Sequence, residues 1–208
     1  MIGKYFAWLP LVCVLACGGA GAQGVSPDVM VKNVTDEVLT ILRQDKGIKS
    51  GNHQRVAAVI ESKVAPHFDF ARMTSQAVGR AWRQADERKR QALITEFRAL
   101  LVRTYANALS AYRDQTVSFK PSAARKSAGD EVTVQSQINS PGAQPIALDY
   151  TLAKSGEDWK VVDVVIGNVS LVTNYRGSFA SEIDKGGLDG LLQSLQEKNR
   201  YPETASAT

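Results

Sequence analysis

The spacing of apolar residues changes twice along this chain, and the changes divide it into segments. At the start, Lys4 precedes an almost wholly apolar run from Tyr5 to Cys17, followed by the small residues Ala20-Gly21-Ala22. This is the layout of a secretory signal peptide, with an apolar core too short to span a bilayer comfortably. A cut after Ala22 is predicted, giving a soluble exported protein. The alternatives are an uncleaved anchor and lipid attachment at Cys17, and the large Leu15 beside Ala16 fits the latter poorly.

From residue 26 to 114 the spacing is helical. Ser26-Pro27-Asp28 offers a capping serine, a proline suited to the first helical position and an acid that complements the helix dipole. Val31, Val34, Val38, Ile41 and Leu42 then form one face. After a break from Asp45 to Gly51, a second helix is predicted from Asn52, with Val56, Val59, Ile60 and Val64 inward, until Pro66 ends it. A short helical stretch follows Phe68-Asp69-Phe70 as far as Gly79 and Trp82. The longest helix is predicted from Asp86 to Arg113, with a broad stripe of Leu93, Phe97, Leu100, Leu101, Tyr105, Ala108, Leu109 and Tyr112. Its other face carries Arg88, Lys89, Arg90, Glu96, Arg98 and Arg103, a pattern more typical of a solvated helix than of a phosphate site.

The period then becomes two. Val117 and Phe119 form a short strand before Pro121; Val132, Val134 and Ile138 alternate with Thr133, Gln135 and Gln137; Ile146, Leu148, Tyr150 and Leu152 alternate with Ala147, Asp149 and Thr151. One apolar and one polar face per strand predicts an antiparallel sheet with one side in water. Lys154 to Asp158 is a turn, and Trp159 to Ile166 is a fourth strand with valine on both faces. Helices return at Ser170 to Asp184 and, past Gly186-Gly187, at Leu188 to Lys198. A disordered tail is expected over 201–208. The fold class is α+β: a curved, four-stranded antiparallel sheet covered on its apolar face by helices from both ends of the chain. One domain over 23–200 is predicted, helical over 26–114, sheet over 115–166 and helical again over 169–198.

Composition sharpens this picture at two points. Both cysteines, Cys13 and Cys17, lie in the leader, so the remaining 186 of 208 residues must be stable in an oxidising compartment without a disulfide. Loss of Lys4 lowers the net charge from +4 to +3, with basic and acidic residues interspersed, a weak hint of attraction to anionic surfaces. No later segment is long and apolar enough to cross a membrane.

Chemistry is sparse. There is no nucleophile elbow, phosphate-binding loop or dinucleotide fingerprint. Two separated histidines, His53 and His67, and a cysteine-free mature chain make a zinc site improbable. His67 close to Asp69 permits an Asp-oriented imidazole, although a structural bond for His67 and a helix cap for Asp69 are the commoner roles. Asp163, interrupting the valine run with Trp159, Val161 and Val165 on its side, would need a partner if buried. No pair of carboxylates suits acid–base work, and the expectation is a non-enzyme without cofactor or metal. What remains in unusual supply is apolar surface aimed at one interior, which an ordinary core or a ligand cavity would use alike.

Five segments in order resemble the MlaC family, also called the toluene-tolerance or ABC-transporter auxiliary component family. They are Val64-Ala65-Pro66-His67-Phe68-Asp69-Phe70; Gly79-Arg80-Ala81-Trp82-Arg83; Phe97-Arg98-Ala99-Leu100-Leu101-Val102-Arg103-Thr104-Tyr105-Ala106; Asp158-Trp159-Lys160-Val161-Val162-Asp163-Val164; and Ser170-Leu171-Val172-Thr173-Asn174-Tyr175-Arg176-Gly177-Ser178-Phe179. The resemblance implies a sheet similar to the nuclear-transport-factor-2-like fold, with a lipid-sized apolar cavity between sheet and helices. It implies a soluble periplasmic carrier, monomeric, whose cargo is phospholipid and whose partners are an outer-membrane lipoprotein–porin complex and an inner-membrane ABC transporter with a hexameric lipid-binding subunit. No nucleic acid is expected. On the apolar faces named above, Phe97, Leu101, Tyr105, Val134, Leu148, Tyr150, Val169, Leu171 and Tyr175 are expected to line the cavity. Arg80, Arg103 and Arg176 are expected at its rim, toward a headgroup or in salt bridges. A hopanoid or other lipid as cargo, and a lipid-free adaptor with a full core, are the alternatives.

Overall fold

The computed structural model describes residues 25–110, 114–126 and 130–200. The expected leader with its predicted cleavage site and both cysteines, Tyr112 and Arg113, and the expected tail from Tyr201 lie outside the described residues.

Helix α1 spans Pro27–Gln44, with proline at its first position as expected, but the Ser26 side chain makes no capping bond. Asp45 ends α1 and caps the next short helix, α2 (Lys46–Lys49), accepting from the Gly47 and Ile48 N–H groups. Asn52 caps α3 (His53–Val59), which runs on through a π turn to Val64 and a 3-10 turn to His67. Asp69 accepts from the Arg72 N–H at 2.8 Å and starts α4 (Phe70–Val78), which passes into a 3-10 turn over Gly79–Gln84. Asp86 caps α5 (Glu87–Ser110) through the Lys89 N–H.

The sheet is a meander of five antiparallel strands in the order β1-β2-β3-β4-β5: Thr116–Lys126, Glu131–Asn139, Ile146–Ser155, Asp158–Ile166 and Val169–Ser170. The expectation of four strands is corrected by the two-residue fifth, which is too short to show any alternation. Strand β1 also continues past Pro121, where it was expected to stop. It lies at the sheet edge, where a proline is tolerated, and its register shifts between Phe119 and Ala124. The chain closes with α6 (Leu171–Arg200), in two pieces because Gly186 and Gly187 take non-helical angles.

The expectation of a single interior is also corrected. Buried apolar residues form a helical cluster around Leu93, Phe97, Leu171 and Leu191, a second around Val38, Leu42, Val56 and Val102, and a third on the sheet around Val134, Leu152 and Val161. Phe68 bridges the first and third, and Tyr105 the first and second. A single 24-residue helix, α5, supplies two of these cores, which is why its apolar stripe is broad. Among the described residues no helix is long and apolar enough to cross a membrane.

Candidate functional site

Directly paired residues of an antiparallel ladder share one face. The pairings therefore trace the apolar face of the sheet row by row. Val132, Leu152 and Val161 make one row; Val134, Tyr150 and Val164 the next; then Phe119, Ser136, Leu148, Ile166 and Val169; and last Val117, Ile138 and Ile146. A bulge between Thr151 and Leu152 on one side and Val161 and Asp163 on the other keeps Val164 and Ile166 on the same face as Val161.

Cover is unequal along these rows. Val134 and Leu152 are 0% exposed and Val161 2%, packed with Met30 and Val31 from α1 and with Phe68. Phe119, Leu148 and Ile166 in the third row are only half-buried. At the far end Ile146 is 47% and Val169 57% exposed. The expected cavity thus takes the form of an apolar face that is packed shut at one end and open at the other.

Polar groups on this face are turned away from its surface. The Ser136 hydroxyl, 1% exposed, donates to the Leu148 carbonyl. The Tyr150 hydroxyl lies beside Thr35 of α1, and burial pushes its pKa up to about 12. Strands β2 to β5 contribute no charged side chain to these rows. Such a surface binds hydrocarbon and offers no acid or base.

The other expected residues are distributed as follows. Phe97, 0% exposed, sits edge-on to the rings of Tyr175 (4.9 Å) and Phe179 (5.0 Å) in the helical cluster, with Leu101 and Leu171 buried beside them. Tyr105 is half-buried between two clusters and is held neutral to about pH 12 by burial, with Tyr175 and Asp163 acting in the same direction. Tyr175 lies beside Thr104, and burial raises its pKa as well. The fold therefore brings Val134, Leu148, Tyr150 and Val169 onto one surface and Phe97, Leu101, Leu171 and Tyr175 into another body, with Tyr105 at the latter's boundary. Phe119, Ile138, Ile146 and Ile166 belong to the open face too; alternation already puts the first three on apolar strand faces, and the cross-strand register adds Ile166 and aligns all four.

Among the rim residues, Arg176 donates from Nε to the Gln76 carbonyl at 2.9 Å, at the end of α4, and Arg80 follows that helix on the 3-10 turn. Arg103 lies close enough to Tyr175 to act on its hydroxyl electrostatically. A second concavity of about 480 Å³ opens between α5 and the two pieces of α6, near Tyr175. Its walls mix Ser178, Ser181, Glu182, Ser194 and Lys198 with Leu100, Phe179, Leu191 and Leu195.

Two sequence expectations about carboxylates resolve here. Asp69 serves as the α4 cap, while His67, half-buried, has its pKa lowered by burial and then by Lys160. Asp163 was expected to share its side with Trp159, Val161 and Val165. The bulge turns it away from Trp159 and Val161, and it accepts from the Ser170 hydroxyl (2.6 Å) and the Val172 N–H (3.0 Å), anchoring the start of α6. Among the described residues no cluster of histidines and carboxylates could hold a metal ion.

Comparison with known proteins agrees with this architecture. The family model described as MlaC protein matches residues 32–197. A solved structure of a phospholipid-binding protein from Ralstonia solanacearum, in complex with a phospholipid, is 39% identical and superposes with a TM-score of 0.77, over 85% of this chain and 98% of that one. The intermembrane phospholipid transport system binding protein MlaC of Haemophilus influenzae is 21% identical over 182 residues, 85% of this chain and 84% of its own length. Toluene tolerance protein ttg2D of Pseudomonas putida is 23% identical over 165 residues, 79% of this chain and 76% of its own. The chain belongs to the MlaC protein family.

Proposed function

We propose that this MlaC-family chain is a periplasmic carrier that holds the acyl chains of a phospholipid against the open end of its sheet and moves the lipid between the two membranes of the envelope. The observation that carries this reading is the fall in cover along one apolar face, from Val134 and Leu152 at 0% exposed to Ile146 at 47% and Val169 at 57%. A folded chain leaves such a strip uncovered at a cost unless something apolar occupies it. The phospholipid bound to the Ralstonia relative supports phospholipid over a hopanoid as that occupant.

A carrier of this kind answers a physical need. Each methylene in water is unfavourable by about 0.8 kcal/mol, so a free diacyl lipid does not cross an aqueous space on its own. Leu148 and Val169, with Phe119, Ile146 and Ile166, form the acyl surface, and Val134 and Tyr150 continue the same face beneath α1. Phe97, Leu101, Tyr105, Leu171 and Tyr175 form the wall that a second chain would reach by parting the helical cluster. Arg80, Arg103 and Arg176 are the cations available to a phosphate headgroup. Export through a cleaved leader would free the protein from either bilayer, and docking on an outer-membrane lipoprotein–porin complex and on the hexameric subunit of an inner-membrane ABC transporter would load and unload it. Release then requires a contact that favours an emptied conformation.

Native mass spectrometry of protein purified from a bacterial envelope tests this directly. A mass increment equal to one phospholipid is expected, together with uptake by delipidated protein from phosphatidylethanolamine–phosphatidylglycerol vesicles. Protein that emerges lipid-free and takes up none from such vesicles would refute the proposal.

A further inference from the structure

Helix α1 is one continuous helix shared between two separate cores. Its C-terminal half is fixed to the helical body: Val38 and Leu42 pack with Ile48, Val56, Ile60, Val102 and Ala106, and Glu37 pairs with Lys63 at 2.6 Å. Below that, Asp45 pairs with Arg55 at 2.5 Å and caps α2. Its N-terminal half lies on the sheet. There Val31 is buried with Val134, Leu152, Val161 and Val164, Met30 packs beside it, and Thr35 lies beside the Tyr150 hydroxyl.

Two buried side chains, Pro27 and Val31, hold this half, and packing rather than ion pairing attaches it. Lys32 pairs with Asp36 of the same helix, and so ties α1 to nothing else. Val25 and Val29 are 59% and 43% exposed. Ser26 leaves its capping position unused, which removes one of the usual restraints on fraying at a helix start. Segments with few buried contacts open at a fraction of the global unfolding free energy.

We infer that residues 27–35 of α1 are a lid over the packed end of the sheet's apolar face, opening while residues 38–42 remain docked. Opening would bare Val134, Tyr150, Leu152 and Val164, extending the open end at Leu148, Ile146 and Val169 into one continuous apolar track. The lid as a route for cargo rests on the carrier reading; the opening itself does not. Thr35 is its latch, because it sets its hydroxyl beside that of Tyr150 on the sheet face.

Both cysteines of the chain lie in the leader, so single engineered thiols report without background. Val31→Cys and Leu42→Cys replace residues that are 4% and 3% exposed, and a water-soluble thiol reagent is applied to each under native conditions. Val31→Cys is expected to react at least tenfold faster, and equal rates would overturn the lid. Amide hydrogen exchange on the unaltered chain guards against a variant that misfolds: residues 31–35 should exchange at least tenfold faster than 38–42, and equal protection again overturns it. Thr35→Val strands the Tyr150 hydroxyl in the closed form, and should speed labelling at Val31→Cys about fivefold, the factor that one net hydrogen bond carries. A matching rise at Leu42→Cys would mean general loosening and count against a lid. Thr35→Val should also take up phospholipid from phosphatidylethanolamine–phosphatidylglycerol vesicles faster than the unaltered chain. Faster thiol labelling with unchanged uptake would overturn the lid as a cargo route and leave the carrier standing, whereas no uptake by the unaltered chain would sink the carrier and leave the thiol result intact.

Discussion

Ile146→Asp separates the proposed function from stability. Ile146 is 47% exposed, at the open end of the apolar face. Full burial of such a side chain is worth about 1.5–3 kcal/mol, so losing roughly half of it destabilises by about 1 kcal/mol. The weaker strand preference of aspartate adds up to about 1 kcal/mol. The sum lowers Tm by roughly 2–8 °C for a domain of this size, which leaves the protein folded at room temperature. The effect on lipid is larger, because an acyl chain laid on this end must cover a carboxylate. Desolvating a polar group without a partner costs about 1–3 kcal/mol on mutational scales, and the lost methyl contacts add about 1 kcal/mol. A loss of about 2–4 kcal/mol corresponds to roughly thirty- to 800-fold weaker phospholipid binding. The control is Ser118→Asp, at the same end of the sheet on the opposite face, where Asn139 Nδ2 donates to the native hydroxyl at 3.0 Å and can donate to a carboxylate as well. The assay is transfer of a fluorescent phospholipid from vesicles to protein, with thermal unfolding in parallel. Ile146→Asp should lose transfer and Ser118→Asp should keep it; equal transfer by the two would refute the assignment of the site to this face.

Three further outcomes follow from the geometry. Asp163→Ala removes the acceptor for the Ser170 hydroxyl and the Val172 N–H, and should destabilise by about 2–4 kcal/mol in urea unfolding; a change below about 1 kcal/mol would contradict its role at the start of α6. Phe97→Ala empties the site between Tyr175 and Phe179 and should cost about 3–5 kcal/mol, so a near-neutral result would mean that the helical cluster is already loosely packed there. Tyr105 and Tyr150 have folded pKa values raised to about 12 from an ordinary 10.0, so the unfolded chain gives up these protons first. Their contribution is intact below pH 10 and is lost as pH rises from there through 12, so stability measured by urea titration should fall over that window, and ultraviolet absorbance should show phenolate from these two only as the protein unfolds.

The parts of the fold legible in the sequence are those whose signal is local. The alternation of Val132, Val134 and Ile138, and of Ile146, Leu148, Tyr150 and Leu152, places both strands and their inner faces correctly, because the side-chain period of a strand is two. Asn52, Asp69 and Asp86 mark helix starts by the same chemistry that makes them cap, whereas the one-turn helix that Asp45 caps falls where a break was expected. The fourth strand resists such reading. With valine on both faces it has no internal phase, and the bulge that reverses its parity after Val161 exists only in relation to its partner β3. Pro121 reads as a terminator because the sequence does not say that β1 is an edge strand, where an unpaired side tolerates it.

The candidate site depends on those non-local facts. The stripe on α5 predicts that Phe97, Leu101 and Tyr105 face a common interior with the sheet, yet a helix long enough to touch two bodies shows the same stripe whichever body it faces. Ser136 looks like a break in an apolar face, but its hydroxyl is absorbed by the Leu148 carbonyl and the face stays continuous through it. Val169 enters the expected lining as one residue of an apolar segment, and its significance lies in being the last rung of a row that starts at Phe119. A ligand surface of this kind is made by the order of strands and by how far a covering helix reaches. The residues that compose it are ordinary core residues, and what distinguishes Ile146 and Val169 from Val134 and Leu152 is that α1 covers the latter pair and not the former.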